Sequence, residues 1–78
     1  MPTTYLLTKQ IDVALLIEEG DDGVFLYTIR PGMIGDTWHA TVDEAKAQAA
    51  YELGRICGPW HLVDADFGNR LKTGKTNP

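Results

Sequence analysis

The run Gly35-Asp36-Thr37-Trp38-His39 gathers more residues able to do chemistry than any other stretch of this 78-residue chain. It lies just before a helix start, where free backbone N–H groups favour anions. His39 oriented by Asp36 has the makings of a general base, and with Trp38 the pair would hold a small or anionic ligand. The plainer reading makes Asp36 and Thr37 turn residues, Trp38 a cover over one end of a core, and His39 a solvated side chain. No Ser or Lys nucleophile is paired with His39 in sequence, and the chain contains no serine. No catalytic residue is therefore assigned, and ligand binding at Asp36, Trp38 and His39 stands as the alternative to a non-catalytic binding role.

Two other clusters resemble sites without completing one. Cys57 and His61 have a spacing that would suit a metal, but Gly58 and Pro59 between them break the helix that would align them, and zinc needs about four ligands. The acids Glu18, Glu19, Asp21 and Asp22 lack the twelve-residue spacing and terminal Glu of a calcium loop. Gly20 and Gly23 are followed by no strand-to-helix turn, so they form no phosphate loop. Neither a metal nor a cofactor is expected.

The elements that must position these residues are legible around the helix. Thr41-Val42-Asp43-Glu44 is a capping box, with the Thr41 hydroxyl accepting from the Glu44 N–H and the Glu44 carboxylate reaching back to the N–H of Thr41. Behind it Val42, Ala45, Ala49, Leu53 and Ile56 form one apolar stripe. Gly54 is the preferred stop. Before the helix, Thr3 to Leu7 reads as a first strand. Ile11, Val13, Leu15 and Ile17 alternate with Asp12, Ala14, Leu16 and Glu18 as a second. The acidic Gly-containing run to Gly23 is a hairpin tip. Val24 to Arg30 returns as a third strand, Phe25, Tyr27 and Ile29 on one face and Val24, Leu26 and Thr28 on the other. Pro31-Gly32 ends it, residues 33–40 form a connecting loop, and Trp60 to Val63 is a short last strand.

The expected fold is α+β, a two-layer sandwich in the order β-β-β-α-β, with one helix across a mostly antiparallel sheet of three to four strands. Residues 1–69 form the single domain and 70–78 a flexible basic tail. With one helix for two sheet faces, an apolar second face of Ala14, Leu16, Val24 and Leu26 is left for an interface, which predicts a homodimer.

The hairpin carrying IEEGDDGVF, the Pro-Gly turn, Gly35-Asp36-Thr37 and a helix opening on Asp43-Glu44-Ala45 come in the order found in the N-terminal domain of HicB-type antitoxins, which the chain resembles over about residues 13–55. That family sets its Glu-Glu-Ala close behind Gly-Asp-Thr, whereas Trp38 to Val42 intervene here. Its usual DNA-binding domain has no counterpart after Val63. The chain is also similar to short uncharacterised bacterial proteins with GDTWH, then EEAKxQA, then a late Trp; that likeness implies no activity. The HicB resemblance implies masking of a basic, RNA-cleaving toxin.

Composition agrees with a small folded binding module. Hydrophobic residues make up 44% and charged ones 23%, ordinary for a globular domain. Residues 1–69 hold eleven acids against four bases, a charge of −7, while Arg70, Lys72 and Lys75 follow. Nucleic acid is a poor partner for such a surface, and a basic protein or a second copy is a better one. No stretch is long enough to span a membrane and no signal sequence precedes the first strand, so a cytoplasmic location is expected. The single Cys57 agrees with it.

Overall fold

A computed structural model describes residues 3–75. Seven elements follow in order: β1 (Thr4–Lys9), β2 (Ala14–Gly20), β3 (Gly23–Arg30), β4 (Met33–His39), α1 (Val42–Leu53), β5 (His61–Val63) and α2 (Ala65–Lys72). The strands form one antiparallel sheet in the order β4-β3-β2-β1-β5. The α+β class is as expected, but there are five strands and two helices. Among the described residues no helix is long and apolar enough to cross a membrane.

The helices take opposite faces of the sheet, so the domain has three layers rather than two. On one side Leu15, Ile17, Val24 and Leu26 pack against Ala45 and Ala49 of α1 and against Cys57. On the other Tyr5, Leu7, Ala14, Leu16 and Ile29 pack against Leu71 of α2, with Phe67 beside them. This explains the sequence of β2, where Val13 to Ile17 are all buried. A central strand covered on both faces reads as a continuous apolar run, and the alternation expected from Ile11 onward does not apply. Ile11 is fully exposed in the β1–β2 loop.

The hairpin turns through Asp21 and Asp22, pairing Gly20 with Gly23. At φ 123° Gly23 has a backbone conformation that favours glycine. A side chain there would also strike the indole of Trp38, whose Cζ2 lies 2.9 Å from where a Cβ would stand. This turn sets the register: Ala14 faces Ile29, Leu16 faces Tyr27 and Ile17 faces Leu26. Paired residues differ in parity, so even-numbered positions of β2 share a face with odd-numbered positions of β3.

Helix α1 starts where its capping box placed it. Thr41 Oγ1 accepts from the Glu44 N–H at 3.1 Å, while the Glu44 carboxylate accepts from the N–H of Ala40, at 3.4 Å, rather than that of Thr41. Gly54 closes the helix at φ 69°, as the sequence suggested. Ile56 therefore falls beyond the helix and off its stripe, and it is exposed. Two other segments depart from expectation. Residues 33–39 form a strand, and residues 65–72, expected as a turn leading into a frayed tail, form α2 with Leu71 fully buried. The proposed tail from residue 70 is thus partly domain; its last residues, 76–78, lie outside the described ones.

Candidate functional site

Strand geometry separates the residues that the sequence grouped. In β4, Asp36 pairs with Tyr27 and Trp38 with Phe25, on the α2 side, while His39 pairs with Val24 on the α1 side. Asp36 and His39 therefore point to opposite faces and form no acid–base pair. His39 Nε2 instead meets Thr37 Oγ1 at 2.7 Å. The Trp38 indole N–H donates to the Asp22 carbonyl at 3.1 Å, which fastens β4 to the hairpin tip. The loop site of Asp36, Trp38 and His39 is thus three residues of an edge strand.

The four residues assigned to an interface are also parted. Ala14 and Leu16 lie under α2, Val24 and Leu26 under α1, and all are buried. The expectation of one helix for two faces fails because α2 covers the second face. Thr41 and Glu44 keep their structural role at the start of α1. Cys57 is buried with its Sγ 3.7 Å from the Ala49 carbonyl oxygen, and no group of three metal-ligating side chains occurs among the described residues.

A polar cluster not foreseen from sequence holds α2 to the sheet. The Glu18 carboxylate accepts from Tyr27 Oη at 2.7 Å, from Lys72 Nζ at 3.0 Å and from Tyr5 Oη at 3.1 Å. Tyr5 Oη is also 2.8 Å from Asn69 Oδ1; carrying one proton, it donates to one acceptor at a time. Lys72 Nζ lies 5.7 Å from the Tyr5 ring centroid and 5.9 Å from that of Tyr27, within cation–π range. Burial disfavours the Glu18 charge, but hydrogen bonds from Tyr27 and Lys72, and the lysine's charge, outweigh it and hold the carboxyl below its ordinary range. Burial, followed by the bond to Glu18 and its charge, pushes the Tyr27 phenol far up. Burial likewise raises Tyr5, against the opposing contact with Lys72. For Lys72 burial acts downward, yet contact with Glu18 and Tyr5 leaves the ammonium above its usual value. Every polar group here is engaged with another, so the cluster serves as an anchor rather than a reactive centre.

Two exposed features remain. The first is β4 itself, a seven-residue edge strand along which only His39 is half-buried. Met33 is 60% exposed, Trp38 56% and Ile34 38%, and Asp36 is its single carboxylate or ammonium group. It lacks the lysines and prolines that commonly blunt an edge. The opposite edge, β5, has three residues.

The second feature is a separation of charge along the strand direction. The end holding the β2–β3 turn and both helix N-termini carries Glu19, Asp21, Asp22, Asp43, Glu44, Asp64 and Asp66. Lys46 lies in the second turn of α1 and Arg70 in the second turn of α2, the latter tied to Asp66 at 3.1 Å. The other end carries Lys9, Arg30, Arg55 and Lys75, with Asp12 and Glu52 as its acids; Arg55 is placed there by a 3.4 Å bond to Gln10. Comparison of the chain with family models, curated proteins and solved structures finds no match.

Proposed function

We propose that this protein is a non-catalytic binding module that works by strand addition at β4, its first partner being a second copy of itself. The supporting observation is the exposure of β4: a full-length edge with unpaired backbone groups facing outward and with Met33, Ile34 and Trp38 in solvent. Edge strands recruit other strands through main-chain hydrogen bonds, and side-chain fit selects the partner. Antiparallel pairing about a two-fold axis brings the acidic end of one copy beside the basic end of the other. In the register centred on Asp36, Ile34 faces the second copy's Trp38 twice over on the α2 side. The same register sets Asp36 against its counterpart, an unfavourable like-charge pair.

Sedimentation equilibrium tests this reading. The expected mass is twice the 8.6 kDa of the chain at micromolar concentration. Asp36→Asn should tighten the dimer and Ile34→Lys should split it, while both variants keep their melting behaviour when monomeric. A monomer at all concentrations refutes it.

The acidic end favours a second reading, in which the same edge and the adjoining carboxylates receive a basic protein, as a HicB-like antitoxin would receive its toxin. That reading requires a monomer in sedimentation together with salt-sensitive capture of a basic ribonuclease. Small-ligand binding at Asp36, Trp38 and His39 is less well supported, because these side chains do not converge.

A further inference from the structure

Given strand addition at β4, we propose that the strand it favours carries an arginine opposite Asp36 and an aliphatic residue opposite Trp38, and that such a strand displaces the second copy. Counted from the two-residue turn that pairs Arg30 with Met33, the residues whose backbone N–H and C=O groups face away from β3 are Ile34, Asp36 and Trp38. Their side chains share the α2 side. In an added antiparallel strand the residue opposite Asp36 therefore has its Cβ about 4.5–5.5 Å from that of Asp36, and the residue opposite Trp38 precedes it by two positions.

The three positions differ in what they offer. The Asp36 carboxylate has no hydrogen-bond or ion-pair partner among the described residues. Lys72, the cation that α2 brings to within 5.9 Å of the ring centroid of Tyr27, the register partner of Asp36, is already bound to Glu18 at 3.0 Å. Trp38 is fixed without being covered: its indole lies against Gly23, its N–H is held by the Asp22 carbonyl, and 56% of the residue is in solvent. Ile34 is less open, since a Cβ placed on Gly74 would lie 3.5 Å from its Cδ1. A guanidinium opposite Asp36 can donate a forked pair of hydrogen bonds to the carboxylate and reach diagonally to the indole, on which a planar cation stacks. An aliphatic side chain facing Trp38 shields that contact from water. In the self-paired register the same place holds a second aspartate, so an arginine strand replaces a like-charge pair with a salt bridge. Glu19, Asp21 and Asp22, at the Trp38 end of the strand, attract a basic segment further.

The experiment titrates the full ¹⁵N-labelled chain with a capped seven-residue peptide that has arginine at its centre, valine two residues before it and threonine elsewhere. In a control peptide citrulline, of the same shape but uncharged, replaces the arginine. The expected result is saturable one-to-one binding with shifts centred on residues 33–39 and the Trp38 indole N–H, slow amide exchange at Ile34, Asp36 and Trp38, and a sedimentation mass of one chain plus one peptide. Citrulline should weaken binding about tenfold, and Asp36→Asn, at an exposed position, should remove that preference. Equal binding of the two peptides at β4, or a preference that survives Asp36→Asn, overturns the assignment of arginine and leaves strand addition standing. Shifts centred outside β4, or no binding by a chain that sediments as a dimer, overturn it as well. No binding by a chain that sediments as a monomer overturns strand addition too.

Discussion

Replacing Gly68 by alanine should destabilise this protein, although the same change in most helix interiors stabilises by about 1 kcal/mol through propensity. Gly68 lies in the middle of α2 and is buried. A Cβ placed on it would stand 2.6 and 2.7 Å from Cδ1 and Cδ2 of Tyr5, and closer still to Cγ. Carbon atoms in contact prefer about 3.5–4.0 Å, so helix and ring must part by about an ångström or more. The ring is poorly placed to yield, being 2% exposed with its hydroxyl held at Glu18 and Asn69. The helix must therefore lift, which loosens Leu71 in its pocket and lengthens the 3.0 Å Lys72–Glu18 contact. Overpacking of this kind costs about 1–3 kcal/mol. With the propensity gain subtracted and the loosened contacts added, a net loss of about 1–2 kcal/mol is expected. At about 4–8 °C per kcal/mol for a domain of this size, the melting temperature should fall clearly in a circular dichroism scan. In a Tyr5→Ala background the obstruction is gone and Gly68→Ala should be neutral or stabilising, which a double-mutant cycle resolves. A raised melting temperature for Gly68→Ala in the otherwise unchanged protein would refute the packing of α2 on Tyr5.

Two further predictions concern the anchor and the cap. Glu18 titrates lower in the fold than unfolded, so its contribution is present above about pH 4.3 and is lost as pH falls through the folded value. Lys72, Tyr5 and Tyr27 are raised, so theirs are complete below about pH 10 and are lost as pH rises through the folded values. Urea midpoints should therefore be level from about pH 5 to 9 and drop on the alkaline side, and Tyr27→Phe with Lys72→Met should flatten that drop; an alkaline limb untouched by both changes would contradict the cluster. Thr41→Ala removes the acceptor for the Glu44 N–H and should cost about 1 kcal/mol, lowering the melting temperature by several degrees, while Thr41→Ser should restore most of it.

The parts of the fold written in local chemistry were legible in the sequence. Thr41 to Glu44 gave the start of α1, Gly54 its end, and the Gly-Asp-Asp-Gly run its hairpin. What escaped was what depends on the second face. Strand β4 shows no alternation because neither of its faces is buried, and a period of two arises only when one face is. Helix α2 contains Asp66, Gly68 and Asn69, residues that favour turns. Its usable signs were Asp64, which accepts from the Phe67 N–H at 2.8 Å, the four-residue spacing of Phe67 and Leu71, and the Asp66–Arg70 pair. The run Val13 to Ile17 carried the missing layer, since five consecutive apolar residues in a strand imply cover on both sides. The Glu18 cluster hydrogen-bonds residues as far as 64 positions apart and has no local signature. The candidate trio at Asp36, Trp38 and His39 failed because a loop lets neighbours converge and a strand does not.

The charge arrangement bears directly on how β4 would be used. By sequence the acids fill the chain up to Asp66 and the last three bases follow, which suggests an acidic body and a separate basic tail. In the fold α2 returns along the sheet, so Lys72 is held by Glu18 and Lys75 joins Lys9, Arg30 and Arg55 at the far end. The separation is then along the strands, and an edge strand inherits that direction: β4 begins beside Arg30 and finishes beside Asp22. Parallel addition of a second copy would set acid against acid and base against base. Antiparallel addition sets each acidic end against a basic one, and it is also the arrangement that a two-fold axis normal to the sheet imposes. Electrostatics and symmetry therefore select the same orientation, leaving Asp36, at the centre of the strand, as the one position where the symmetric register works against itself.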